Sequence, residues 1–303
     1  MIELLFLGNG AMMPLPDRWL SSALVRVRDE VMLLDCGEGT QIPWRRYGWG
    51  FKRLSLICLS HWHADHVAGL PGILHAVAIA GRERPLRIVG PTGTGAVVAG
   101  LRTIAPDLPF EVEVEELSGG DERAAIAGMT LRVIEGDHRV PVLLYRFDLP
   151  RGREFLPDRA DRLGVPRGRW AELARGVEIA VGKHVVAYDD VHGPPRRGIS
   201  LGFATDTRPV DQSPAFFRGV DALISEGTYG DDGDGENAVR NKHMTFREAA
   251  TIAASAGAGS LILTHFSPKM ATPEEWIGNA TEVFEPVALT SSGWTRTLNY
   301  PAS

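Results

Sequence analysis

Apolar positions in this chain fall mostly in short runs of strand length. Four such runs, at 2–7, 23–28, 31–35 and 54–59, open the sequence, with Gly8, Gly10 and the Pro14/Pro16 segment supplying turns between the first two. The run at 54–59 reads as a buried strand. A helix is predicted over 67–80, with Asp65 as its N-cap and Gly81 at its end. A strand at 86–89 leads through Gly90-Pro91-Thr92-Gly93 into a helix over 94–101. Residues 110–114 alternate apolar and acidic side chains, as a half-buried strand does, and strands follow near 129–134 and 142–147. Strands at 199–205, 222–225 and 260–264 and helices at 246–256 and 273–284 complete the pattern. Two strand-rich halves with helices interspersed predict an antiparallel-rich double sheet with helices on its outer faces.

Composition adds bounds to this picture. The 303 residues are 44% hydrophobic and 23% charged, ordinary values for a soluble globular chain. A formal net charge of −6 gives no general attraction to nucleic acid or anionic membrane, so a polyanion would need a local basic patch. Such a patch exists. Residues 146–197 hold 11 Lys/Arg against 8 Asp/Glu, with Gly and Pro around them, and read as an inserted arm or a solvated surface segment. Cys36 and Cys58 lie in apolar runs without a CxxC spacing and read as reduced core thiols. The first ten residues are apolar but carry Glu3 and lack a basic leader, so they read as a strand and not a signal peptide. With no apolar run of membrane-spanning length, the expectation is a cytoplasmic protein.

The chemistry concentrates just after the strand at 54–59. His61, His63, Asp65 and His66 form the pattern H-x-H-x-D-H. A strand ending in a loop turns His61 and His63 toward one ion and Asp65 and His66 toward a second, about 3.5–4 Å away. Imidazole and carboxylate suit zinc or another first-row metal. Further ligands are expected where other strands end: His138 in EGDHRVP, Asp206 in FATDTRP and His265 in LTHFS.

These pieces together resemble the metallo-β-lactamase superfamily and, within it, the ribonuclease Z family. The resemblance is carried by LLDCGEGTQ, LSHWHADHVAGLPGIL, DHRVPVLLYRF, GFATDTRP, EGTY with KHMTFREAA, and THFSP, spread over nearly the whole chain. It implies an α+β fold, an αββα sandwich forming one domain over 1–303, with 148–197 as a substrate-docking arm. It implies two Zn2+ ions, with Mn2+ or Fe2+ as alternatives. His61, His63 and His138 would hold the first ion, Asp65, His66 and His265 the second, and Asp206 both. Asp35 would orient a ligand histidine or serve as a buried structural carboxylate. The implied activity is removal of the 3′ trailer from tRNA precursors by a homodimer. The chain departs from the family pattern at Trp19, Arg169, Ser225, Gly227 and Lys269-Met270, none of them a ligand position.

Two divalent ions make hydroxide available near neutral pH and neutralise charge on a phosphoryl oxygen. An alkoxide leaving group also needs a proton. Asp65 is placed to accept one from the attacking water, and by resemblance His243 paired with Glu226 would supply one to the leaving oxygen. Without the resemblance, His243 reads as a helix-edge surface residue. Arg208 beside Asp206, and Arg18 near the N-terminal turn, either meet phosphate oxygens or pair with carboxylates. Arg167 and Arg169 are candidate RNA contacts in the arm. Two other functions fit the same residues: a phosphodiesterase of small cyclic or aryl diesters or another metallo-hydrolase on the same fold, and a metal-bound RNA-binding protein without turnover.

Overall fold

The computed structural model describes residues 1–301. The chain builds one sheet almost completely before it starts the next. β1 (Ile2–Gly8), β2 (Ser22–Val27), β3 (Glu30–Leu34), β4 (Leu54–Cys58), β5 (Leu86–Pro91) and β6 (Val112–Leu117) lie side by side in that order. β1 to β3 form an antiparallel meander, and from β3 to β6 every pairing is parallel. The second sheet begins with β7 (Glu122–Ala124), β8 (Thr130–Glu135) and β9 (Leu143–Arg151), each antiparallel to the one before.

Residues 150–198, with Tyr300 and Pro301, cluster as a compact unit of their own. This unit contains the hairpin of β10 (Ile179–Val181) and β11 (His184–Val186), and it has its own small core of Ala160, Val165, Leu173, Ile179, Val186 and Val191. β12 (Arg196–Ala204), β13 (Ala222–Glu226), β14 (Leu261–Thr264) and β15 (Val287–Leu289) then run parallel and complete a seven-stranded sheet in the order β15-β14-β13-β12-β9-β8-β7. β16 (Thr295–Leu298) returns to the first sheet and pairs antiparallel with β1.

Alternation along the strands sorts the side chains into layers. Leu5, Leu7, Leu33, Ile57 and Leu59 pack with Leu70, Ile73, Leu74 and Val77 of the helix Leu70–Ile79, covering one face of the first sheet. Leu223, Leu261 and Leu263 pack with Phe246, Ala249, Ala250 and Ala253 of the helix Phe246–Ala256, covering one face of the second. The opposite-facing residues Leu4, Phe6, Met32, Leu56, Tyr145, Phe147, Phe203 and Ile224 are also buried. They lie between the sheets, where the Tyr145 hydroxyl of β9 donates to the Leu59 carbonyl at 2.7 Å. The result is the expected αββα sandwich, but its sheets are not antiparallel-rich as predicted: β3 to β6 and β12 to β15 pair in parallel, because helices and loops between these strands return the chain to the same edge.

One local expectation changes. The helix predicted over 67–80 is two helices, Ala64–Val67 and Leu70–Ile79, and the N-cap is His63 rather than Asp65. At the break the chain packs against residues 36–37 and a helical hydrogen bond is diverted. Gly69 packs so tightly that a Cβ there would lie 2.1 Å from the Gly37 carbonyl oxygen, and its N–H donates to the Cys36 carbonyl at 2.9 Å. Pro71 then opens the second helix, where a missing N–H costs nothing.

Candidate metal centre

Parallel strands end together, and their following loops diverge to leave a crevice at the carboxyl edge. Here both sheets bring such an edge to one place. Asp35 follows β3, the segment from Ser60 to His66 follows β4, Asp206 follows β12, Glu226 is the last residue of β13, and His265 follows β14. Asp35, Asp206 and His265 all have left-handed backbone, with φ of 54°, 51° and 59°. Each such conformation costs about 1–3 kcal/mol in a non-glycine residue and persists where surrounding structure enforces it. His138 comes from the β8–β9 connection.

These side chains converge. Ligand atoms of His61, His63, His138 and Asp206 lie within 4.8 Å of one another, as do those of Asp65, His66 and His265. Asp206 faces both groups with different oxygens. Its Oδ2 is 3.7 Å from His61 Nε2 and 3.8 Å from His138 Nε2, whereas its Oδ1 is 3.3 Å from His66 Nε2 and 3.1 Å from His265 Nε2. Asp65 Oδ2 stands 3.5 Å from His66 Nε2 and 3.6 Å from His265 Nε2.

The outer ring nitrogens are held by other groups. His61 Nδ1 is 3.0 Å from Ser60 Oγ, His66 Nδ1 is 2.8 Å from Asp35 Oδ2, and His265 Nδ1 is 3.0 Å from Thr228 Oγ1. His138 Nδ1 donates to the Lys242 carbonyl at 3.0 Å. This leaves Nε2 of these four rings facing inward, the arrangement that orients metal-binding histidines, while His63 presents Nδ1. Inward nitrogens then approach closely: His61 Nε2 to His63 Nδ1 at 3.0 Å, His63 Nδ1 to His138 Nε2 at 3.2 Å, and His66 Nε2 to His265 Nε2 at 3.2 Å. Lone pairs this near require a shared proton or a cation among them. Five imidazoles and two carboxylates divided around a shared Asp206 fit a pair of divalent ions.

The electrostatics agree with that demand for positive charge. Burial would raise the Asp206 carboxyl, but His265, His66 and His61 hold it well below the usual carboxylate range. Burial opposes a charge on His66, yet Asp206, Asp35 and Asp65 outweigh it and draw its pKa well upward. For His61 burial dominates and pushes the pKa down.

His243 stands beside the cluster, with Nδ1 3.1 Å from Glu226 Oε2. Burial lowers its pKa, but the charge and hydrogen bond of Glu226 prevail and bring it to about 9. The fully buried Glu226 also accepts from Thr207 N at 2.6 Å, Thr228 Oγ1 at 2.6 Å and Met244 N at 3.0 Å. A cavity of about 480 Å³ opens over His63, Asp65, His138, Asp206 and His243, and Arg139, Arg240 and Lys269 stand at its wall.

The arginine candidates are placed differently. Arg208 turns toward the protein: its Nη1 donates to the His243 carbonyl at 2.6 Å and to Glu248 Oε2 at 2.9 Å, and its Nη2 donates to Glu248 Oε1. Arg18 donates to the carbonyls of Ser267, Met270 and Ala271. In the 150–198 unit, Arg167 pairs with Asp161 at 3.0 Å and Arg169 with Glu172 at 2.7 Å, both guanidiniums remaining exposed. Sequence reasoning did not single out Ser60, Thr228, the Lys242 carbonyl or the Met12 N–H, which donates to Asp65 Oδ2 at 2.7 Å. Only the position of Ser60 directly before His61 offered a signal.

Comparison with known proteins follows the same lines. A ribonuclease Z from Lachnoclostridium phytofermentans is 40% identical over 284 residues, covering 94% of this chain and 93% of the relative. One from Clostridium perfringens is 39% identical and covers 99% of both. The family model described as anti-Pycsar protein Apyc1 matches residues 2–92. Among solved structures, the short form of human tRNase Z superposes with a TM-score of 0.70 at 23% identity, covering 99% of this chain and 100% of that one. A metallo-β-lactamase fold protein from Bacillus subtilis gives 0.70 at 20% identity, covering 97% and 98%.

Proposed function

The chain belongs to the ribonuclease Z family and is a metal-dependent hydrolase of the metallo-β-lactamase fold, and from that premise we propose how its residues divide the work of cutting the 3′ trailer from tRNA precursors. The observation that carries this is the two-sided placement of Asp206 between two ligand groups, with the His243–Glu226 pair alongside. His61, His63 and His138 would hold one ion, Asp65, His66 and His265 the other, and Asp206 both. The nitrogen-rich donor set favours zinc. Such ions, when bound, activate water and neutralise charge on the phosphoryl group.

The chain's own groups handle geometry and protons. Asp65 Oδ2 is held by the Met12 N–H, which fixes the carboxylate where it lines the cavity and can take a proton from the attacking water. Glu226 occupies Nδ1 of His243, leaving Nε2 as the nitrogen that delivers a proton to the ribose oxygen as it departs. Arg167 and Arg169 in the 150–198 unit would meet RNA phosphates, and two copies of the chain would form the working dimer. Among the described residues no helix is long and apolar enough to cross a membrane, and the buried free thiols Cys36 and Cys58 suit a reducing cytoplasm.

The test gives the zinc-loaded protein a tRNA precursor with a 3′ trailer and, separately, an aryl phosphodiester, with Asp65→Ala alongside. Cleavage at the acceptor-stem boundary, abolished in the variant, is expected. Turnover of the aryl diester alone would move the substrate to small diesters, and turnover of neither would leave a binding protein or a hydrolase of another ester class.

A further inference from the structure

The Arg208 side chain was a candidate phosphate ligand, but its environment gives it other work. Its backbone N–H donates to the Asp137 carbonyl at 2.9 Å, which ties it to the segment carrying His138. Its guanidinium spans the His243 carbonyl and the Glu248 carboxylate, and its side chain is only 15% exposed. Glu248 also accepts the Thr245 N–H at 2.9 Å, so the carboxylate gripping Arg208 caps the helix that begins just after His243. A second strap closes the other end. Lys242 has left-handed backbone at φ 62°, its carbonyl receives His138 Nδ1, and its ammonium reaches both oxygens of Asp137 at 2.9 and 2.8 Å. Three segments that each carry a site residue, at 137–138, 206–208 and 242–248, are thus joined to one another and not only to their sheets.

We propose that Arg208 is a positioning residue for His243: its grip on the His243 carbonyl and Glu248 sets where the imidazole stands relative to His138 and Asp206. The role presupposes the leaving-group proton transfer proposed above. Burial favours Arg208 over the Asp137–Lys242 pair as the main determinant, since that pair is 44% and 40% exposed and exposed pairs contribute little. A phosphate ligand would instead need a guanidinium open to the cavity, whereas Arg208 does not line it.

The consequence is selective. A ribose alkoxide needs a proton to leave, but a nitrophenolate does not, so a displaced His243 slows RNA cleavage more than aryl diester turnover. Arg208→Met and Glu248→Gln would each be compared with wild type on precursor tRNA and on bis(4-nitrophenyl) phosphate, with zinc content and thermal melting recorded. Gln keeps the capping geometry at 248 while losing the charge that holds Arg208. Because general acid catalysis contributes about 10²–10⁴-fold, the RNA-to-aryl ratio of kcat should fall by about tenfold or more, with KM for RNA within about twofold and zinc content unchanged. Should Arg208→Met fail to fold, Glu248→Gln carries the test by itself. A raised KM for RNA with an unchanged kcat would make Arg208 a substrate contact and overturn the proposal, as would an equal loss on both substrates. If wild type leaves precursor tRNA uncut, the tRNA assignment itself fails, independently of what the variants do.

Discussion

Asp35 shows how much of this site depends on residues outside the ligand set. It is wholly buried and accepts three hydrogen bonds, from Ser60 N at 2.7 Å, Ser60 Oγ at 2.8 Å and His66 Nδ1 at 2.8 Å. The first two fix the residue that precedes the metal-ligand motif, and the third fixes the tautomer of His66. Asp35→Ala should therefore weaken metal binding by about 10–100-fold, measured by competition against a chromogenic chelator. Asp35→Asn, which keeps an acceptor oxygen, should lose less. A purely structural aspartate would instead lower the melting temperature and leave zinc affinity intact. Asp206 is read differently from sequence and from structure. Its place at a strand end was visible in GFATDTRP, but its two oxygens serving different histidine groups, 3.1 to 3.8 Å away, is a fact of tertiary geometry.

At the scale of elements, helix starts and strand ends determine where functional groups stand. The helix Phe246–Ala256 begins with a capping box in which Thr245 Oγ1 accepts the Glu248 N–H at 3.2 Å and Glu248 accepts the Thr245 N–H. Removing the hydroxyl in Thr245→Ala should cost about 1 kcal/mol, read as a lower urea midpoint at unchanged slope. Because Glu248 also holds Arg208, the same substitution should depress RNA cleavage more than aryl diester turnover. An unchanged midpoint would mean that sheet packing alone fixes this helix. The split between Ala64–Val67 and Leu70–Ile79 carries the same lesson. Apolar spacing predicted a continuous helix, but the close approach of Gly69 to Gly37 and Pro71 break it, and His66 falls in the short first piece.

At the scale of the whole molecule, the fold collects groups from six strand ends into a centre that favours cations. Ions that bind only the folded chain stabilise it by about 2.7 kcal/mol at a hundred times their dissociation constant. Chelation should therefore lower the melting temperature and zinc should restore it; a melting curve indifferent to both would argue against a metal centre. The 150–198 unit makes a separate prediction. Arg167→Gln with Arg169→Gln should weaken precursor tRNA binding and reduce the salt dependence of log K by about one for each phosphate no longer neutralised. Unchanged affinity would remove RNA docking from these two residues. The sequence by itself determined the strand succession, the H-x-H-x-D-H segment and the strand-end residues His138, Asp206 and His265, because strand periodicity and ligand spacing are local properties. It left the short strands β7, β10, β11, β15 and β16 unread, since three- or four-residue strands carry too little periodicity to be seen. Only the tertiary structure decided that Thr228 and the Lys242 carbonyl hold the outer nitrogens of His265 and His138, and that Arg208 faces Glu248 instead of the cavity. Those choices join residues up to 104 positions apart in the chain, and no local pattern records which distant partner a side chain will meet once two sheets close against each other.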